Sequence, residues 1–403
     1  MLGFLRRNAP GVGLVYFEGR VPDRDELQRR AEPWRDVEVT PAHDAPALAE
    51  LLRFSAAVTD AERKAGEAAS AAVLVRVPAM ANDVLRDRKR LLRALRALMA
   101  DDGVMAVDLG ARLPWSRSSL DDELSHDAAL DVEALYCLHA VYEHSRDDVT
   151  WLHTHGLAEL GGFDVDVLRP GRLLMANAGD SMRVFAFAVI ERAVTPSTAE
   201  FEFAAPNGRV RFVPAKEFTG SAAPDDAALR SSRADEHVDN RAVLCEPGRR
   251  LFSRGDRPRP SRFLASPPRD GVALFFSDTA TELSAERARQ TLVVLRGLVD
   301  EFADLGLPTL IKLGYPRDDG NGREHLWFSV DRIDESSVEA TLENRPYGVS
   351  RLRPGERGTH ALELVTDWTI LTPFGSITPR SLVAARAVRE RPDDVRTLIE
   401  GAR

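Results

Sequence analysis

Two histidines separated by a single residue are the most distinctive feature of the sequence. They occur in the segment Trp151-Leu152-His153-Thr154-His155-Gly156, where a helical pattern gives way to alternating, strand-like residues. In an extended strand, His153 and His155 point to the same face, because side chains alternate with a period of two. A pair of this kind can bind a metal or an acidic group, or can simply be packed in the fold.

Two upstream residues extend this pattern to a possible metal site. The apolar spacing predicts a helix from about residue 131 to residue 144, on which His139 and Glu143 share a face because they are four residues apart. Facing the histidine pair, they would complete a zinc site of mixed nitrogen and oxygen character. The ligands of this hypothetical site are His139, Glu143, His153 and His155.

The same segment also allows a purely structural interpretation. None of the common zinc-binding spacings is present, and His139 lies on an apolar stripe. In this alternative, His153 and His155 make fixed hydrogen bonds that hold the turn at Gly156, and we expect no cofactor. If a metal does bind, Glu143 or Glu159 is the expected general base of a metal-dependent enzyme.

Several chemistries and partners are disfavoured by motif and composition. The sequence contains no Walker-type phosphate loop, no GxGxxG after a strand, no GxSxG elbow and no HExxH. The net charge of −9 disfavours nucleic-acid binding, which usually requires a basic surface. No apolar run reaches the roughly 20 residues that span a bilayer, and two unrelated cysteines, Cys137 and Cys245, fit a reducing compartment. We therefore expect a cytoplasmic protein with no nucleic-acid or membrane partner.

The order of the predicted elements indicates an α+β fold. Apolar runs at 12–17, 72–77 and 104–109 are typical of buried strands, and a strongly amphipathic helix is predicted between the last two. This order favours a mixed sheet with helices on its faces. Further short strands are expected at 173–176, 184–190, 200–204 and 210–213, with a hairpin at Asn207-Gly208.

Residues 218–265 lack periodic patterning and contain many arginines. This composition is typical of a mobile loop or linker. Cys245 falls within it, where neighbouring cations would lower the pKa of its thiol. Cys137 is expected to be an inert core thiol on the 131–144 helix.

The C-terminal part has the density of short strands expected of a small β-rich module. Strands are predicted at 325–333, 337–342, 348–352 and 360–364, after a helix at 285–303. Trp327 and Trp368 are candidate binding residues, because two indoles on an open sheet face would suit a peptide or another domain. The alternative is that neighbouring elements cover the rings. We favour burial of Trp327, with a cost of roughly 3–5 kcal/mol for Trp327→Ala.

Particular segments resemble two bacterial families of unknown function. The segment Trp151–Leu157 with the strand after it resembles the family numbered 4026, and the C-terminal part resembles the family numbered 2314. The second resemblance is carried by Glu324–Phe328, Gly355–His360, Val365–Trp368 and Gly375–Thr378. Neither family has an established activity. The first is distantly similar to domains related to suppressor of fused, some of which are immunity or protein-binding modules.

These observations divide the chain at residue 311 and lead to two functional hypotheses. Residues 1–311 form the α+β domain of the first type, and residues 312–403 form the β-rich module of the second. The first hypothesis is a non-enzymatic module that binds another protein, as an immunity or scaffold protein does. The second is a metal-dependent enzyme that uses His153 and His155.

Overall fold

The structure is a computed structural model that describes most of the chain. The described ranges are 10–34, 36–46, 48–52, 55, 58–79, 84–142, 149–170, 175–221, 240–248, 257–263 and 273–402. Within them the chain forms an α+β fold with three sheets, the last of which belongs to a β-rich C-terminal part. No helix among these residues is long and apolar enough to cross a membrane.

The first sheet is antiparallel and has five strands in the order β2-β3-β1-β4-β5. Its strands are β1 (Gly11–Phe17), β2 (Glu38–Pro41), β3 (Ala71–Val77), β4 (Gly103–Asp108) and β5 (Leu113–Ser116). The helices between and after them are α1 (Arg24–Ala31), α2 (Leu48–Leu52), α3 (Asp60–Glu67), α4 (Val84–Met99) and α5 (Arg117–Leu124). The three apolar runs expected as strands are thus confirmed as β1, β3 and β4.

Helix α4 packs closely on the centre of this sheet. Its buried stripe contains Leu91, Leu95 and Leu98, all fully inaccessible. A Cβ added at Gly13 of β1 would lie 2.9 Å from a Leu95 methyl group, so the strand can approach the helix only because it lacks a side chain there. The amphipathic pattern read from the sequence therefore places α4 correctly.

The second sheet has seven strands in the order β12-β9-β10-β11-β8-β7-β6. Its strands are β6 (Cys137–Tyr142), β7 (Val149–His155), β8 (Asp164–Leu168), β9 (Phe201–Ala205), β10 (Gly208–Pro214), β11 (Arg241–Cys245) and β12 (Ala273–Leu274). The pair β8–β11 is parallel and the other pairs are antiparallel. The expected hairpin at Asn207-Gly208 joins β9 to β10.

Two helices pack against the second sheet. Helix α6 (Met175–Ile190) contributes Phe185 and Val189 to a core that also contains Leu92 of α4 and Leu152 of β7. The first two sheets therefore share one hydrophobic core. Helix α7 (Ala215–Ser221) covers the opposite face of the second sheet, where Phe218 is fully buried.

The third sheet is antiparallel and has six strands in the order β16-β15-β14-β13-β17-β18. They are β13 (Thr309–Pro316), β14 (Arg323–Ile333), β15 (Ser337–Leu342), β16 (Arg357–Ala361), β17 (Val365–Thr372) and β18 (Gly375–Ile377). The accompanying helices are α8 (Asp278–Gln290), α9 (Leu292–Glu301), α10 (Val383–Glu390) and α11 (Pro392–Ala402). Residues of α8, α9 and α10 pack into the core of this sheet.

The C-terminal core begins earlier than the expected boundary at residue 311. Ala288 and Leu295 belong to the same buried cluster as Phe328 of β14. A division after residue 311 would also cut strand β13, which runs from Thr309 to Pro316. The packing therefore groups α8 and α9 with the third sheet.

Five secondary-structure predictions are wrong. The first is the strand at 173–176, because residues 175–176 begin helix α6 and residues 173–174 lie outside the described residues. In place of the helix expected at 131–144, the chain forms a short 3-10 turn (Val132–Leu135) and then strand β6, which ends at Tyr142. Residues 143 and 144 lie outside the described residues. Residues 184–190 belong to helix α6, because a helix buried on its apolar sides carries no clear periodicity. Residues 348–352 form turns. Within 218–265, residues 241–245 form the buried strand β11, while 222–239, 249–256 and 264–265 lie outside the described residues.

Candidate functional site

The register of β6 and β7 brings three histidines together. His139 lies directly opposite His153, and Cys137 lies opposite His155. Directly opposed residues of an antiparallel pair have Cβ atoms about 4.5–5.5 Å apart on one face of the sheet. His139 thus joins the cluster from a neighbouring strand, and not from the helix that the sequence pattern predicted.

The three imidazole rings are in mutual contact. The ring centroids of His139 and His155 are 4.6 Å apart, those of His153 and His155 are 4.7 Å apart, and those of His139 and His153 are 5.4 Å apart. The Nε2 atoms of His153 and His155 are separated by 3.0 Å. One potential ligand nitrogen from each ring lies within 4.8 Å of the other two. We refer to His139, His153 and His155 as the histidine cluster.

The histidine cluster is enclosed on one side and accessible on the other. His153 and His155 are 2% and 4% exposed, whereas His139 is half-buried. Burial, and then the neighbouring His153 and Arg112, hold the pKa of His155 far below its ordinary value. His155 is therefore a neutral imidazole at physiological pH, the form with a free lone pair.

An ion pair and a tryptophan support His153 from the side of β8. The ring of Trp151 stacks on His153 with a centroid distance of 3.9 Å. Its Nε1 donates to Oδ1 of Asp166 at 3.0 Å, and Asp166 is paired with Arg241 through two hydrogen bonds. Because all four side chains are buried, the orientation of the His153 ring depends on this network.

A second arginine and a thiol border the histidine cluster. Arg112 lies in the turn between β4 and β5 with a φ of 54°, and its charge reaches both His155 and Cys137. Such a left-handed conformation is uncommon for a residue with a side chain and is enriched at functional sites. Burial raises the pKa of the Cys137 thiol to about 12, so it remains protonated.

Thr154, the middle residue of the His-Thr-His segment, holds the turn. Its Oγ1 donates to Asp164 at 2.8 Å and accepts from the backbone N–H of Val165 at 2.8 Å. Asp164 also accepts from the backbone N–H of Leu157 at 3.2 Å. Thr154 thus holds this turn through its own hydrogen bonds, and His153 and His155 also contact each other through their Nε2 atoms.

Gly156 is required where β7 leaves the sheet. Its φ is +125°, and an added Cβ would lie 2.4 Å from the carbonyl oxygen of Leu135. A side chain at this position is therefore excluded by both backbone conformation and space. The close approach fixes the end of β7, and with it His155, against the segment that precedes β6.

The acidic residues near the cluster differ from those that the sequence indicated. Glu143 lies outside the described residues. Glu159 is exposed on the 3-10 turn Ala158–Leu160. Asp166, which the sequence analysis did not single out, lies directly opposite His153 in β8. Its signal was the strand Asp164-Val165-Asp166-Val167, in which two acids alternate with valines.

The two candidate tryptophans of the third sheet do not share a face. Trp368 is fully buried, pairs with Ile311 and donates from Nε1 to Thr291 at 3.0 Å. Trp327 pairs with Lys312 on the other face, where it is half-buried with the Lys312 ammonium 5.2 Å from its ring centre. The hypothesis of a two-indole patch is therefore wrong, and Trp327 is less buried than expected.

The structure also corrects the expectation that Cys245 lies in a mobile loop with a lowered thiol pKa. Cys245 is fully buried in β11, and burial raises the pKa of its thiol to about 12. Its side chain joins the cluster around Phe218 and Trp151. The nearby arginines of the sequence do not activate this thiol, because desolvation outweighs their charge.

Comparison of the chain with protein-family models, with curated proteins and with solved structures finds no match. An account of its function therefore rests on its own residues.

Proposed function

We propose that the protein binds a divalent transition-metal ion through His139, His153 and His155. The observation that carries this proposal is the convergence of three imidazoles from two adjacent strands, with potential ligand nitrogens within 4.8 Å of one another. Imidazole nitrogen is a preferred ligand of Zn²⁺ and of related first-row metals.

The separations of the nitrogens suit a metal of this class. Zn²⁺–nitrogen bonds of about 2.0–2.1 Å at a tetrahedral angle place two ligand nitrogens about 3.3 Å apart. The Nε2 atoms of His153 and His155 are 3.0 Å apart, so these two rings need only a small adjustment. His139 is the half-buried member and faces this pair from the neighbouring strand.

Three protein ligands leave one coordination position open. Zinc sites with three histidines generally carry a water or a substrate atom at the fourth position, and a bound metal supplies Lewis-acid polarisation there. Arg112 borders the cluster as well, and its positive charge favours an anionic group nearby. The open coordination position and the nearby positive charge therefore favour a reactive metal centre over a purely structural one.

Elemental analysis of the protein tests this proposal directly. Protein purified without chelators or affinity-tag metal is expected to carry about one equivalent of zinc or a related metal, because folding and metal binding are coupled. His139→Asn and His155→Gln should each lose it. His325→Asn is the matched control, since His325 lies in β14 and contacts Thr366. Wild-type protein with less than about a tenth of an equivalent, also after incubation with Zn²⁺ or Co²⁺, would refute the proposal.

Protein binding is a second candidate function, favoured by Tyr347. Tyr347 is 92% exposed, although its backbone N–H and that of Gly348 donate to the Glu324 carboxylate at 2.8 and 2.7 Å. A rigidly presented tyrosine is typical of interface hot spots. The proposed similarity to suppressor-of-fused-related domains supports this function, because some of those domains bind other proteins. The two buried free thiols support a reducing, cytoplasmic setting for the protein.

A binding experiment with two variants separates this function from the first. Partners retained from an extract of the native host by wild-type protein should be lost with Tyr347→Ala. They should be kept with Leu371→Ala, which removes an apolar side chain that is 41% exposed elsewhere on the same sheet. Equal retention by both variants would show that Tyr347 is not part of an interface.

A further inference from the structure

A cavity of about 180 Å³ lies between the N-terminal elements and the C-terminal unit, and none of the three clustered histidines lines it. One wall comes from β5, α5 and the segment around Glu133, and the other from α8 and the segment around Arg380. This volume is enough for several water molecules. It is therefore large enough for a small organic molecule.

Most of the charges in the cavity wall are already paired with one another. Arg287 donates to both carboxylate oxygens of Glu123 at 2.8 Å, and Arg386 is paired with Asp122. Asp131 accepts from Arg183 at 3.0 Å. These groups fix the shape of the wall and have little remaining capacity for a ligand.

Glu133 and Arg380 are less fully paired than the other charges of this wall. Their closest approach is 3.9 Å, and among the described residues Arg380 donates one hydrogen bond, to Asp367 at 3.4 Å. No hydrogen bond to the Glu133 carboxylate is present among the described residues, and its side chain is 41% exposed against 21% for Arg380. The cavity therefore presents one carboxylate and one guanidinium side by side, both with unused hydrogen-bonding capacity.

We propose that this cavity binds a small α-amino acid in its zwitterionic form. The ligand carboxylate pairs with the Arg380 guanidinium, whose planar fork suits a carboxylate, and the ligand ammonium pairs with Glu133. A zwitterion carries its two charges on adjacent groups, as the two protein side chains do. Each long contact of the free protein is thereby replaced by a charge-assisted hydrogen bond.

The rest of the wall sets the size and polarity of the ligand side chain. Leu113, Trp115, Ala134, Val294 and Leu382 line the same cavity. Apolar lining with a few polar groups that fix orientation is the usual composition of a small-molecule site. Together with the volume, this lining favours an amino acid with a short aliphatic side chain.

The electrostatic state of Glu133 agrees with such a ligand. Partial burial and the nearby Asp131 carboxylate raise the pKa of Glu133 above its ordinary value. An ammonium group placed beside it lowers that pKa again, since an opposite charge favours the ionised form. The ligand ammonium thus comes into direct contact with Glu133, where the Arg380 guanidinium of the free protein comes only within 3.9 Å.

Calorimetric titration of the full chain with L-valine tests the proposal. Propionate and isobutylamine, which each carry only one of the two charges, are the comparison compounds. L-valine is expected to bind at least about tenfold more tightly than either, because charge-assisted hydrogen bonds contribute roughly 1.5–3 kcal/mol each. Absence of L-valine binding at millimolar concentration, or equal binding of propionate, would overturn the proposal.

Three variants assign the binding to this cavity. Glu133→Gln and Arg380→Gln should each weaken L-valine binding by at least about tenfold. Arg389→Gln should leave it unchanged, because Arg389 is half-exposed and paired with Glu301 outside the cavity wall. Glu133→Gln preserves shape, so it remains informative if Arg380→Gln is poorly folded. Binding that survives Glu133→Gln would contradict the assignment.

Discussion

Thr154 and the histidines beside it point to opposite faces of β7, so their roles are separable by mutation. The hydroxyl of Thr154 joins β7 to β8 through Asp164 and Val165. The histidines lie on the face that carries Trp151, Asp166 and Arg241. A single short segment therefore combines a structural residue with two candidate ligands.

Asp166→Asn tests whether the Arg241–Asp166–Trp151 network positions His153. This test rests on the proposed metal centre. We expect Zn²⁺ affinity to fall about tenfold, the lower end of what outer-shell substitutions cost. Stability should fall by roughly 3–5 kcal/mol, because the buried Arg241 loses its partner. Competition titration with a chromophoric chelator and urea unfolding measure the two effects.

Thr154→Val is the matched control for this loss of stability. It removes two hydrogen bonds beside the buried Asp164, for roughly 1–3 kcal/mol, but leaves the histidine face intact. Its Zn²⁺ affinity should equal that of wild type. If Asp166→Asn binds Zn²⁺ as tightly as Thr154→Val does, the network has no positioning role.

Replacing the two tryptophans of the third sheet by alanine should reduce the stability of the protein by very different amounts. Trp368→Ala should destabilise the protein by roughly 3–5 kcal/mol, the range for an emptied aromatic core site, because the ring is fully buried. Trp327→Ala should cost only about 1–2 kcal/mol, from partial burial and the contact with Lys312. Equilibrium unfolding in urea ranks the two variants, and a larger loss for Trp327→Ala would contradict the assigned faces.

At the level of elements, patterns with a clear period were predictable and fully buried segments were not. Helix α4 and strands β1, β3 and β4 follow their apolar patterns. In α6 the run Val184–Ile190 is apolar or small at every position, which a buried helix and a buried strand share. Val132 and Leu135 lie in the 3-10 turn before β6, and their helical spacing to His139 of β6 is a coincidence.

The histidine cluster could be predicted only in part for the same reason. The shared face of His153 and His155 follows from strand alternation alone. The position of His139 depends on the register of β6 against β7, and that of Asp166 on the register of β8. Register is set by which faces are buried in the assembled sheet, which local sequence does not specify.

Arg88 of α4 and Asp108 of β4 fix the helix to the end of the strand. Their side chains are 7% and 1% exposed, and the Nη1–Oδ1 distance is 2.7 Å. Arg88→Met should cost roughly 3–5 kcal/mol near neutral pH, because a buried carboxylate is left without its cation. Equilibrium unfolding measures this cost.

The cost of Arg88→Met should also depend on pH. Burial raises the pKa of Asp108 against the opposing charge of Arg88, so at pH values between the unfolded and the folded pKa the folded state binds a proton that the unfolded chain has released. The contribution of Asp108 to stability therefore decreases as pH rises. Without Arg88 the pKa is higher still, so the deficit should be larger near pH 8 than near pH 5. An equal deficit at both pH values would contradict this assignment, whereas Arg88→Met combined with Asp108→Asn should show no such difference.

At the level of the whole molecule, the two hydrophobic units are joined by buried charges. Arg287 of α8 donates to Glu123 of α5 and to the carbonyl oxygen of Ala129, and Lys89 of α4 lies 3.7 Å from Glu123. Arg386 of α10 is paired with Asp122. These contacts join the C-terminal core to the N-terminal sheets across the wall of the cavity that holds Glu133 and Arg380.

Arg287→Met should weaken this junction far more than an equivalent change elsewhere. Arg287 with Glu123 and Arg389 with Glu301 are both bidentate pairs, with distances of 2.8 and 2.7 Å, but the first is buried and the second is half-exposed. Breaking a buried pair costs roughly 3–5 kcal/mol, whereas an exposed pair contributes about 0–1 kcal/mol. Because the buried pair joins the two units, calorimetry should resolve two unfolding transitions for Arg287→Met. The Arg389→Met variant should retain the wild-type unfolding profile. A single transition in Arg287→Met, shifted no further than in Arg389→Met, would show that apolar contacts alone couple the units.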